Sequence, residues 1–111
     1  MSRLDQVNSL LHQELAKSLH RHFDLDGILV TISDVRCAPD LNEAKIFVSV
    51  LPEKLAGTAL KKLRHISGAL AREIRPRVKF RRVPSFIWLF DDRPSRASQI
   101  DELIHELHDE K

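Results

Sequence analysis

The stretch from Glu73 to Asp92, EIRPRVKFRRVPSFIWLFDD, changes character halfway along. Its first half carries a cation at almost every other position, and its second half is nearly all large apolar side chains. Val78 and Phe80 alternate with Arg77, Lys79 and Arg81, while Phe86, Trp88 and Phe90 recur at the two-residue step of a strand face. The spacing predicts a strand over about 78–90, with one face in a core and cations on the other. Pro84 has no N–H for a sheet ladder, which places this strand at an edge or bulges it there.

Upstream of this stretch the period is helical. Leu60, Leu63, Ser67, Leu70 and Ile74 keep a helical step, with Thr58 placed to cap the start and Pro76 to end the run. Gly68 stands in the middle, where it costs about 1 kcal/mol relative to Ala. A glycine tolerated there points to a kink or to close approach by another molecule. Further back, Glu43–Leu51 alternates Ile46, Val48 and Val50 against Lys45, Phe47 and Ser49, and Ile28–Val35 is rich in β-branched residues. The Pro39-Asp40 turn between them predicts an antiparallel hairpin.

At the amino end, Leu4, Val7, Leu11, Leu15 and Leu19 form one stripe of an amphipathic helix from Ser2 to about Phe23. Ser2 and Asp5 are spaced to cap it, and Asp24-Leu25-Asp26-Gly27 stops it. Beyond Asp92, Ser98 is placed to cap a short helix over about 98–109, with Ile100, Leu103, Ile104 and Leu107 on one side. The expected fold class is α+β, in the order αββααβ. Helices pack on one face of a three-stranded sheet, and a short acidic helix follows a core of about residues 3–92.

The totals suit this reading. A chain of 111 residues, 42% apolar and 31% charged, is expected to form one domain with an unstapled core. Its lone Cys37 cannot form an internal disulfide. No window approaches 18 consecutive apolar residues and the first residues lack a signal-peptide run, so a cytoplasmic protein without a membrane partner is expected.

Candidate enzymatic features are weak. His20/His22 and His105/His108 are two-residue pairs without a nearby cysteine, short of the roughly four ligands that zinc needs. Asp91-Asp92 starts a turn better than it shares a proton, because adjacent strand residues point to opposite faces. Ser33, Ser49 and Ser67 lack a recognisable nucleophile setting. Gly27, Gly57 and Gly68 are isolated and form no phosphate-binding loop and no GxxG clamp. Neither an enzyme nor a cofactor or metal is expected.

Charge distribution is more informative. Net charge is only +2, but residues 61–82 hold nine of the 18 Lys and Arg residues against one acid, Glu73. Arginine forks match phosphate oxygens, and a one-sign stretch is the footprint of a polyanion-binding face. The candidate contacts are Lys61, Lys62, Arg64, Arg72, Arg75, Arg77, Lys79, Arg81 and Arg82, with Ser67 and Gly68 at the helix break between them. Phe80 and Trp88 alternate as core residues do, so backbone recognition is expected rather than base stacking.

The order αββααβ resembles a type II KH domain. Two stretches, VTISDVRCAPDLNEAKIFVSVL (Val30–Leu51) and ISGALAREIRPRVKFRRVPSFIWLFDD (Ile66–Asp92), resemble the ribosome-binding factor A family, in order and at similar spacing over roughly residues 3–107. That resemblance implies a non-enzymatic assembly factor, linked to cold adaptation, and nothing in the sequence demands more than a monomer. Such a factor would bind the immature small (30S) ribosomal subunit and assist maturation of its 16S ribosomal RNA. The family replaces GxxG by an Ala-x-Gly kink between two helices; here the kink reads Ile66-Ser67-Gly68. Two other readings stand beside it: a generic KH-like nucleic-acid-binding module outside the ribosome, and a protein-interaction domain using the acidic final helix.

Overall fold

The computed structural model describes residues 2–78 and 81–93. Helix α1 spans Arg3–His22, strand β1 Leu29–Cys37 and strand β2 Glu43–Leu51. A 3-10 turn over Glu53–Leu55 leads into helix α2, Ala56–Val78, and strand β3 spans Ser85–Phe90. The architecture is α+β, with a three-stranded sheet in the order β1-β2-β3 and two helices. The expected C-terminal helix lies outside the described residues.

Helix α1 starts as its sequence dictates. The Ser2 side chain accepts a hydrogen bond from the Asp5 N–H, and the Asp5 carboxylate accepts one from the Ser2 N–H, closing a capping box. Leu11, Leu15 and Leu19 fall on one face and are buried against the sheet. Two polar contacts fix that face to β1. Asn8 Oδ1 accepts from the Cys37 N–H at 2.8 Å, and His12 Nε2 lies 2.9 Å from the Ile32 carbonyl oxygen.

The hairpin forms as its turn chemistry predicts, antiparallel, with Leu29 opposite Leu51 and Cys37 opposite Ala44. Asp40 Oδ1 accepts from the Asn42 N–H, and Leu41 takes the positive φ (60°) that the tight turn needs. The register slips between Ile32 and Asp34, making Ser33 the extra residue of a bulge. Ala44, Ile46, Val48 and Val50 all point into the core.

Three sequence expectations about α2 are corrected. Pro76 does not end the helix, which continues to Val78. Pro76 is exposed, so the turn around it faces water, which can satisfy the carbonyl a proline cannot bond. Thr58 does not cap α2 either; the chain enters through the 3-10 turn, where the Leu55 N–H bonds the Pro52 carbonyl, and Thr58 sits inside the helix. The expected break at Gly68 is a continuous stretch of helix, so one element stands where the sequence predicts two.

The third strand is correspondingly shorter than expected. Val78 is the buried last residue of α2 rather than the start of a strand, and pairing begins at Ser85, just past Pro84. Tertiary packing of Val78 outweighs the local alternation that suggested a strand there. Strand β3 lies parallel to β2 at the sheet edge, with Ile46 beside Trp88 and Val48 beside Phe90. Phe86, Trp88 and Phe90 share the core face as expected, with the Phe86 and Trp88 rings edge-to-face at 5.9 Å.

Candidate nucleic-acid interface

Helix α2 carries two opposite faces. Ala59, Leu63, Leu70, Ile74 and Val78 are buried. With 3.6 residues per turn, Lys61, Arg64, Gly68, Arg72 and Arg75 fall within about 80° of arc on the other side. All five are exposed. They form a cationic ridge about 21 Å long at 1.5 Å per residue. Among the described residues, none of its four charged members forms an ion pair with a carboxylate. Like charges three residues apart, as in Lys61/Arg64 and Arg72/Arg75, repel by a few tenths of a kcal/mol per pair. A bound polyanion would turn that repulsion into attraction.

Gly68 sits at the centre of the ridge, one turn from Arg64 and one turn from Arg72. A Cβ built there would meet only Arg72 Nη1, at 3.9 Å. Among the described residues, no packing demands glycine at this position. Its consequence is an uncovered piece of backbone flanked by two guanidinium groups.

Ser67 faces the other way. Its hydroxyl donates to the Leu63 carbonyl at 2.8 Å and accepts from Trp88 Nε1 at 2.6 Å. This pair ties the middle of α2 to β3, so the hydroxyl predicted to touch RNA is engaged by the fold. Ile66, also half-buried, packs against the core.

The remaining predicted contacts leave the ridge. Lys62 pairs with Asp26 in the turn before β1. Arg77, expected on a strand face beside Lys79 and Arg81, is instead on α2 and turned toward α1. There it lies 3.9 Å from a Glu14 carboxylate oxygen and 3.8 Å from one of Glu73. Arg81 and Arg82 are exposed in the bend before β3, and Arg82 Nη2 donates to Asn42 Oδ1 at 2.7 Å. Lys79 lies outside the described residues, as does Phe80. One ridge residue escaped the sequence reading. His65 is exposed, one turn after Lys61. Counting in fours from Lys61 would have found it.

Asp91 begins a turn, as expected, accepting from the Arg93 N–H at 3.1 Å. Its carboxylate is buried and does more: it accepts from Arg93 Nε and Nη2, both at 2.9 Å, and from Ser33 Oγ at 2.6 Å. The Arg93 hydrogen bonds first, and then that from Ser33, hold its carboxyl far below the usual carboxylate range. Among the described residues, no group of three or more His, Cys, Asp or Glu could hold a metal ion. No helix among them is long and apolar enough to cross a membrane.

Comparison with known proteins bears directly on this geometry. Proteins named ribosome-binding factor A are similar along nearly the whole chain. That of Xanthomonas axonopodis pv. citri (strain 306) is 32% identical over 108 residues, covering 96% of this chain and 83% of the relative. That of Opitutus terrae is 29% identical over 107 residues, covering 96% and 88%. The crystal structure of ribosome-binding factor A from Thermus thermophilus superposes with a TM-score of 0.71 at 25% identity, covering 78% of this chain and 93% of that one. A homology model of the Thermus thermophilus factor, fitted into the cryo-EM map of a 30S–RbfA complex, superposes with a TM-score of 0.64 at 25% identity, covering 76% and 90%. The family described as ribosome-binding factor A matches residues 3–104, and the chain belongs to that family.

Proposed function

We propose that this chain binds the small ribosomal subunit and assists maturation of its ribosomal RNA as a bound factor rather than as an enzyme. The α2 ridge is its phosphate-binding face. The observation that carries this reading is the row Lys61, Arg64, Arg72 and Arg75, without carboxylate partners among the described residues, around an open Gly68. The 30S complex of the Thermus thermophilus relative supports the choice of partner.

The chemistry follows from the layout. A phosphate approaching the Gly68 backbone has Arg64 on one side and Arg72 on the other, each able to present two parallel N–H donors. Lys61 and Arg75 extend the contact along the backbone in both directions. Recognition of this kind reads the path of phosphates and leaves the bases unread. The buried Trp88, whose indole N–H is engaged by Ser67, is not available for stacking.

Cosedimentation with separated small and large subunits at two salt concentrations tests the proposal. Binding to small subunits should weaken with salt, at a log–log slope of roughly −3 to −4 for four neutralised phosphates. Equal binding to both subunits would reduce the reading to general phosphate affinity. Binding that ignores salt would overturn the ridge.

A further inference from the structure

We propose that a cleft on the flank of α2 takes one unstacked guanine nucleotide of the RNA whose phosphates follow the ridge. The inference rests on that phosphate-binding reading and adds to it a place where one base is read. The cleft has a volume of about 480 Å³ and opens between the first turns of α2 and the turn that follows α1. That size falls within the range of roughly 300–1,000 Å³ common to small-molecule sites.

Periodicity explains its composition. Thr58, Lys61, Lys62, His65 and Ile66 follow i, i+3, i+4, i+7 and i+8 steps, so all five fall on one flank of the helix. That flank starts at the ridge, with Lys61, and ends at the core, against which Ile66 packs. Its rim is therefore cationic and its floor apolar. Asp24 and Leu25 form the opposite wall, and Leu25, a core residue, completes the floor. Asp24 is exposed; its Oδ1 accepts from the Asp26 N–H at 3.0 Å, and its Oδ2 accepts from no group among the described residues. The Ile28 N–H bonds the Leu25 carbonyl at 3.1 Å, and Asp26 pairs with Lys62. This wall is thus fixed both in itself and to α2.

The chemistry names the occupant. An apolar peptide would bury Lys61 without a counter-charge, and an acidic one would face Asp24. A nucleotide presents an anion, then a sugar, then a planar base whose faces are apolar and whose edge is polar. Its phosphate meets Lys61 and His65 at the end of the ridge, its base covers Leu25 and Ile66, and its edge faces Asp24. An ionised carboxylate only accepts hydrogen bonds, so it selects an edge with adjacent N–H donors. Guanine offers N1–H and N2–H side by side. Uracil offers one N–H between two carbonyl oxygens, which the carboxylate repels.

The test uses the full-length chain labelled with nitrogen-15 and two single-stranded RNA probes: a heptamer of uridine, and the same heptamer with guanosine at its centre. Both should shift the ridge amides from Arg64 to Arg75. Only the second should shift those of Asp24, Leu25 and Thr58, and it should bind about tenfold tighter. Asp24→Asn keeps an oxygen for the Asp26 N–H but sets an amide N–H against the guanine donors. It should remove the preference without weakening the uridine heptamer. Thr58→Trp, which fills the cleft from an exposed position, should do the same. A preference that survives Asp24→Asn would overturn the assigned edge contact. Ridge shifts with a silent cleft from both probes, or equal affinities for the two, would overturn the cleft and leave the ridge standing. Shifts at neither place would overturn the ridge, and the cleft with it.

Discussion

Most of the cations among the described residues of 61–82 look alike in sequence but fall into two groups in space. On the ridge, Lys61, Arg64, Arg72 and Arg75 point to solvent without a carboxylate partner among the described residues. Beside it, Lys62 is held by Asp26, Arg77 by Glu14 and Glu73, and Arg82 by Asn42. The first group keeps its charge available to a ligand. The second uses its hydrogen-bonding capacity to tie α2 and the bend before β3 to neighbouring elements. A run of like charge is thus not one site. Part of it stays open to a ligand, and part fastens α2 and the bend before β3 to the fold.

The largest effect should come from the core beneath the same helix, where β3 meets it. Trp88→Ala removes a ring that is 3% exposed and leaves Ser67 without its indole donor. Denaturant unfolding should show a loss of about 3–5 kcal/mol. A loss below about 1 kcal/mol would mean that the ring contributes little to the core around it.

Reversing the ridge with Arg64→Glu, Arg72→Glu and Arg75→Glu should do the opposite. Small-subunit affinity should fall by about 100-fold or more near 0.1 M salt, with the salt slope flattened by about three, while the unfolding midpoint stays nearly fixed. Arg77→Ala is the contrast within the same run, and should change binding less than about threefold; its partly exposed ion pairs are worth no more than about 1 kcal/mol to stability. Equal effects on binding from the two variants would erase the distinction between the groups.

Asp91 offers a pH-dependent control away from the ridge. Its folded carboxyl titrates below the unfolded one. Its contribution is therefore complete above the ordinary carboxylate range and is lost as pH falls beneath about 4. Thermal unfolding of the native chain and of Asp91→Asn should differ most near neutral pH and converge in acid, with subunit binding unchanged by the substitution. A difference that grows toward acid pH would contradict the assigned hydrogen bonds.

The smallest effect is also the most discriminating. Gly68→Ala should raise stability by about 1 kcal/mol, since alanine is the better helix former and the added methyl meets only the end of Arg72. Subunit affinity should nevertheless fall several-fold, measured in the same cosedimentation assay. A variant that is more stable and binds equally well would show that nothing approaches the backbone there.

Much of this fold is written locally. The Ser2–Asp5 capping box, the Pro39-Asp40 turn and the leucine stripe of α1 all act over a few residues, and each stands where its chemistry places it. The alternation in β2 likewise records which side chains face the core. The junction between α2 and β3 was not legible in the same way. Arg77, Val78 and Lys79 alternate as strand residues do, and a proline precedes them. Burial of Val78 and contacts of Arg77 with α1 hold those two residues in the helix instead, and those partners are remote in sequence. The ridge was only partly legible for the same reason. Spacing puts Lys61, Arg64, Arg72 and Arg75 on one helical face, but Lys62, Ser67, Arg77 and Arg82 could be assigned only once Asp26, Trp88, Glu14 and Asn42 were in place.

By itself, then, the sequence determined the helical or strand character of α1, β1, β2 and the bodies of α2 and β3, the α+β class and the strongly basic balance of α2, because periodicity, capping and composition are short-range properties. The tertiary structure decided where α2 stops, that β3 runs parallel at the edge, and which cations remain available. Those outcomes depend on contacts between residues far apart along the chain, and no local pattern encodes which partner will come within reach.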